Sequence, residues 1–333
     1  MKKTRTAFLF VSAVLVAVAL MAPAYLPAQE GKIVEYSYYK KAKETTDVAE
    51  KERLFLEFFQ KYPDSEYYPY MIYEFRQYLT KLNQEKKMDK VIELVGKCAD
   101  KARNDAAWEL AQAYYAKEDF PNYLAAAEKI YEAKPSAELA MYISLAAFKG
   151  NDQARMDKFF AELEKSDNVK LKIDLYFTIF DYCKAKNDLP KAEEYGLKTV
   201  GAFEKAGFPA SMDKPAGFPA NADWNQYLTQ VLSPCLGYVG YAHYKAEKFD
   251  TAVDLFTKEI KVQPKDAAAY YYIGLIYNKQ QKMDLVGPYF AKAAALNVPT
   301  VSDKAKKFLQ QLLNDNAKVN AEIAKAKEEL GIQ

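Results

Sequence analysis

The chain has 333 residues, half of them apolar, with 47 Lys+Arg against 45 Asp+Glu and one histidine. That length and apolar share can bury a continuous core, and only 12 Gly and 14 Pro argue against a loop-rich β fold. The near balance of charge gives no support to nucleic acid or an anionic bilayer as the main partner.

Residues 1–28 read as an export signal. Lys2, Lys3 and Arg5 make a positive start, Ala7 to Met21 is an apolar run, and Ala22, Ala24 and Ala28 supply small residues for cleavage after Ala24 or Ala28. An uncleaved anchor is the alternative. No cysteine lies in this stretch, so a lipid-anchored form has no support. Without the three cations of the signal, 44 basic residues face 45 acidic ones. No later run is long and apolar enough to span a bilayer, so the expected product is exported, periplasmic or secreted.

The rest reads as helices in pairs. Ile33 to Tyr39 opens the first, and Leu54, Leu56, Phe58 and Phe59 give residues 49–62 a broad apolar face. Tyr62-Pro63-Asp64-Ser65 stops that helix, with Asp64 or Ser65 expected to cap the next one. A tyrosine-dense helix is expected over Tyr67 to Leu82, with Asp89 to Lys101 as its partner. Further pairs follow around Leu110, Ala111 and Tyr114, then over 136–164 with the turn Gly150-Asn151-Asp152. Another spans 171–202 with the turn Asn187-Asp188-Leu189.

The helical period fails between Lys205 and Asp223, where AGFPA occurs twice among several Pro and Gly. Either Phe208 and Phe218 tuck into the flanking helices, or the loop is a hinge or cover. Beyond it, Gly240 opens GYAHYKAEKFDTAVDLFTKEIKVQP and Gly274 opens GLIYNKQQKMDLVGPYFAKAAALNVP, 34 residues later. Charged helices over 303–313 and 317–330 suit the end of a stack.

The two copies resemble the tetratricopeptide repeat, whose period is 34 residues. Tyr270, Ile273, Gly274 and Tyr277 match its first helix, with Leu236, Val239 and Gly240 in the earlier copy. Ala252 and Val286 stand in the small slot, Phe256 and Phe290 in the large one, and Pro264 and Pro299 close each unit. His243 replaces an aromatic. The glycines are expected to let two helix backbones approach closely. The Tyr62–Ser65 join is similar to one recurring in repeat proteins of bacterial envelope assembly.

The resemblance implies an all-α solenoid of about seven stacked antiparallel helix pairs. Its divisions are the signal (1–28), a degenerate array (29–205), the loop (206–223), and two clear repeats with capping helices (224–333). It also implies a concave face lined by the first helix of each pair. Here that lining comprises Trp108, Gln112 and Tyr115; Tyr241, Tyr244 and Lys245; and Tyr271, Asn278 and Lys279. Aromatic rings with amide and cationic tips suit an extended peptide or a glycan. The asparagine places of the family's carboxylate clamp hold Gln112, Tyr241 and Leu275, which argues against a chaperone-tail mode.

No GxSxG, P-loop or HExxH occurs. His243 is expected to be a packed structural residue, and no metal or cofactor is implied. Cys98, Cys183 and Cys235 are each expected within a helix, with their pairing left open. The resulting expectation is a non-catalytic scaffold of the cell envelope that binds a protein or peptide. The alternative is a polysaccharide- or peptidoglycan-associated binding protein.

Overall fold

A computed structural model describes residues 32–215, 218, 220 and 223–332. The expected signal over 1–28 lies outside the described residues. Those residues contain helices and turns and no strand. They form two compact units that meet in sequence at Pro135 and Ser136, so the loop at 206–223 lies inside the second.

The first unit holds α1 (32–44), α2 (Val48–Lys61), α3 (Tyr68–Gln84), α4 (Met88–Lys97), α5 (Asp100–Asp105), α6 (Ala107–Ala116) and α7 (Phe120–Ala133). Of the apolar face expected on α2, Leu54, Phe58 and Phe59 are buried while Leu56 is only partly so; Phe55 is buried in addition, and Phe55 and Phe59 pack their rings on Phe75 of α3. Two local expectations are corrected. The segment Asp89–Lys101 is not one helix, because Cys98 takes an extended conformation and separates α4 from α5. Cys98 is therefore the C-cap of α4 rather than an interior residue. Asp64 and Ser65 do not cap α3, whose N-cap is Tyr67 with no side-chain bond. The Ser65 hydroxyl instead accepts from the Tyr67 N–H and donates to Glu35, tying α1 to the turn.

The second unit holds α8 (Ala137–Lys149), α9 (Gln153–Glu164), α10 (Val169–Ala185), α11 (Leu189–Lys205) and α12 (Trp224–Tyr227), then a π turn (Leu228–Leu232). It continues with α13 (Ser233–Lys245), α14 (Phe249–Val262), α15 (Ala267–Lys279), α16 (Met283–Ala295), α17 (Val301–Leu313) and α18 (Asn316–Glu329). Phe208 and Phe218 of the loop are buried, the latter against Trp224 and Tyr227 at 4.9 and 5.0 Å. The loop's rings thus serve packing.

Six hairpins share one turn. In α3/α4, α6/α7, α8/α9, α10/α11, α13/α14 and α15/α16, a single residue with positive φ joins the helices: Lys86, Glu118, Asn151, Asn187, Glu247 and Gln281. The next residue's N–H reaches back to the carbonyl five residues earlier, as from Asp188 to Cys183 and Lys248 to His243, both at 2.9 Å. This is the Schellman closure, which satisfies carbonyls that the helix end leaves orphaned. None of the six is glycine, although glycine pays no steric penalty there. Counting from this residue aligns the six pairs where the sequence does not.

Seven residues before it, each first helix places a fully packed residue: Leu79, Ala111, Ser144, Phe180, Gly240 and Gly274. Nine residues after it, the second helix places Val95, Ala127, Gly196, Phe256 and Phe290, all buried, and in α9 the half-buried Phe160, whose ring packs on Tyr176 of α10. The role of the glycines is corrected accordingly. A Cβ on Gly240 would come within 2.9 Å of the Phe256 ring, and one on Gly274 within 3.0 Å of the Phe290 ring. They make room for a partner's ring, not for a neighbouring backbone.

Candidate interaction surface

The same register places the expected lining residues. Gln112 and Tyr241 stand six residues before the left-handed residue of their hairpins, and Tyr115, Tyr244 and Asn278 stand three before. Trp108, Gln112 and Tyr115 lie on α6 of the first unit. Gln112 is exposed and Trp108 half-buried, whereas the Tyr115 ring packs edge-on against Phe120 and Tyr123 of α7 at 5.9 and 5.3 Å. On α3, the corresponding places hold Arg76 and Asn83, and both already bind Glu109 of α6. Arg76 donates to its carboxylate at 3.0 Å, and Asn83 to its backbone carbonyl at 2.9 Å.

In the second unit, α13 and α15 build an aromatic shelf. Tyr241, Tyr244 and Tyr272 contact one another, with centroids 5.3 Å apart from Tyr272 to each of the others and 6.3 Å between Tyr241 and Tyr244. Tyr272 lies stacked on Phe256 at 5.4 Å, which roots the shelf in the slot described above. Tyr241 remains 42% exposed. The Lys279 ammonium stands 5.6 Å from the Tyr244 ring centre and 3.7 Å from the Glu247 carboxylate. Lys245 and Asn278 are exposed at the edge. Among the described residues, Lys245 has no carboxylate within ion-pairing distance.

Tyr271 is half-buried and packs beside the stacked rings of Phe290 and Phe308, at 5.8 and 6.3 Å. Part of its ring therefore belongs to the α15–α17 contact. Burial pushes the phenols of Tyr271 and Tyr272 up, so both remain O–H donors at neutral pH. Tyr272 was not singled out from the sequence. It stands nine residues before Gln281, and the contact between α13 and α15 puts it beside Tyr241 and Tyr244.

His243 is 8% exposed, and neither ring nitrogen has a hydrogen-bond partner; Nε2 lies 3.8 Å from the Glu193 carboxylate. It stands four residues before Glu247, where the equivalent Leu82, Ala147 and Cys183 are buried too. Its place is a core slot. Cys98, Cys183 and Cys235 are buried free thiols; burial raises all three, with Cys98 and Cys235 pushed up to about 12. Such thiols are poor nucleophiles. No group of three His, Cys, Asp or Glu among the described residues could hold a metal ion, and no described helix is long and apolar enough to cross a membrane.

No protein-family model and no curated protein matches the sequence. Among solved structures, the C-terminal part of a TPR repeat-containing protein from Cytophaga hutchinsonii is 16% identical, covering 74% of this chain and 99% of its own, with a TM-score of 0.40. The apo form of RapI is 13% identical over 91% of this chain and 86% of its own, at 0.41. Yeast Tom70 is 15% identical over 83% and 62%, at 0.33. The hairpins and their common turn make each of the two units all-α and built from antiparallel helix pairs, with the ring-in-slot contact at Gly240 and Gly274 like that expected from the tetratricopeptide resemblance.

Proposed function

We propose that this chain is a non-catalytic scaffold that holds a partner protein or peptide along the first helices of its pairs, with the shelf on α13 and α15 as the main contact. The observation that carries this reading is the exposed Tyr241 on a rigid base of packed rings, bordered by Lys245, Asn278 and Lys279. Rigid aromatics give contact area at small entropic cost, and their hydroxyls add direction. Neighbouring Lys245 supplies a charge that no side chain of the described residues neutralises.

The setting proposed is the bacterial cell envelope, reached through the export signal of residues 1–28. The test is cross-linking with mass spectrometry on whole cells. It compares the wild type with a triple variant carrying Tyr241→Ala, Tyr244→Ala and Lys245→Ala. Loss of one protein partner, with helical circular dichroism unchanged, supports the reading. Unchanged partners remove the shelf from it. Capture of a polysaccharide in a glycan pull-down, with no protein partner, replaces the protein by a glycan.

A further inference from the structure

The second unit carries a cleft that shares no residue with the shelf. It opens between the end of α9, the start of α10 and the last turns of α11. Helix length makes it. α9 has 12 residues and α11 has 17. Counted from the left-handed residue of each hairpin, Glu164 at the end of α9 corresponds to Val200 of α11. Gly201, Ala202 and Lys205 therefore extend past the point where α9 stops.

Small residues keep the space open. Nothing stands within 4 Å of a Cβ built on Gly201, and Ala202 adds only a methyl group. The cleft has a volume of about 270 Å³, whereas a cavity of about 150 Å³ already accepts a benzene ring.

Its floor is mostly apolar and firmly held. Val169 and Tyr176 line it from α10. The Tyr176 ring is fixed by Phe160 of α9 at 5.4 Å and by Tyr195 of α11 at 6.3 Å. Its hydroxyl has no hydrogen bond within the described chain. Burial, then the charge of Glu164, pushes that phenol up to about 12, so it stays an O–H donor at neutral pH.

The rim is cationic, with Lys172, Lys198 and Lys205 against one acid, Glu164. That acid is already partnered: Lys172 donates to its backbone carbonyl at 3.0 Å and stands 3.7 Å from its carboxylate. Lys198 pairs at 2.7 Å with Glu194, which lies outside the cleft, and stands 4.3 Å from the Tyr195 ring centre. Lys205 has no carboxylate within ion-pairing distance among the described residues. An apolar floor under a rim with excess positive charge complements an anion carried on an apolar body.

We propose that this cleft binds a small organic acid, one carboxylate on an apolar body of about two fused rings. The body fills the space beside Gly201 and Ala202, and the carboxylate accepts from Lys205 and the Tyr176 hydroxyl. A neutral ligand of the same shape leaves both donors without a charged acceptor. A bare anion leaves the floor wet.

The test is equilibrium dialysis of the full chain against naphthoate, with naphthamide as the neutral isostere and acetate as the headgroup alone. Naphthoate should be retained, and the other two should bind at least about tenfold more weakly. No retention of naphthoate, or equal retention of naphthamide or acetate, would overturn the proposal. Lys205→Ala should weaken naphthoate binding by about tenfold, and Lys205→Arg should restore it. Gly201→Leu, which fills the cleft from the open side of α11, should abolish it. Unchanged retention in Lys205→Ala would overturn the proposal even if Gly201→Leu does not fold, and unchanged retention in a folded Gly201→Leu would place the ligand elsewhere and overturn it too.

Discussion

The hairpins α10/α11 and α13/α14 solve one packing problem with opposite residues. In α13/α14 the first helix yields, with Gly240, and the second fills the space with the Phe256 ring. In α10/α11 the first helix supplies the ring, Phe180, and the second yields, with Gly196, whose Cβ would meet that ring at 3.3 Å. Both phenylalanines are buried, at 0% and 1% exposure. Between these two hairpins the volume shared by the facing positions is kept while the residues at them change places. Cores tolerate such exchanges when total volume is kept.

The largest effect should come from emptying the slot. Phe180→Ala removes a buried ring whose facing residue has no side chain to lean in, so a loss of about 3–5 kcal/mol is expected in urea unfolding. Gly196→Ala in the opposite helix should cost about 1–3 kcal/mol, because the new methyl would lie 2.7 Å from Val239 as well as against Phe180. A matching cost is expected for Gly240→Ala against Phe256.

A second glycine of α11 sharpens the contrast. Nothing stands within 4 Å of a Cβ built on Gly201. Gly201→Ala should therefore stabilise by about 0.5–1 kcal/mol, through helix propensity and a more restricted unfolded chain. If Gly196→Ala and Gly201→Ala shift the unfolding midpoint in the same direction, the slot is not what constrains Gly196.

An effect of similar size concerns the caps. Asp119, Asp152 and Asp188 cap the second helices of their hairpins by accepting from the backbone N–H three residues on. Lys248 and Lys282 occupy the same place in α13/α14 and α15/α16 without a capping bond. Lys248→Asp should raise the thermal midpoint by an amount equivalent to about 1 kcal/mol. An unchanged midpoint would mean that the hairpin's tertiary packing already fixes that turn.

The contrast also explains how much could be read from the sequence. Helical period and breaker residues placed the helices, and Gly240 with Phe256 and Gly274 with Phe290 were visible because they carry the pattern in its usual orientation. Phe180 with Gly196 was not visible as a copy, because a search for small-then-large misses large-then-small. Nor did the common turn show itself, since its left-handed residues are Lys, Glu, Asn and Gln rather than glycine. The break at Cys98 carries no Pro or Gly at the bend itself, so the sequence offered no signal there. Tyr241 and Tyr244 followed from the repeat register, but Tyr272 needed the contact between α13 and α15. Glu259 was not singled out from the sequence; its burial beside Gly237 shows only in the fold.

The most direct test of the shared-volume claim is a double-mutant cycle that turns α13/α14 into the orientation of α10/α11. Gly240→Phe and Phe256→Gly are made separately and together, and each chain is unfolded in urea. The double variant is predicted to be more stable than Phe256→Gly alone, because the ring restored from the first helix refills the space. A double variant less stable than both single variants would contradict the account, and would mean that each helix demands its own residue.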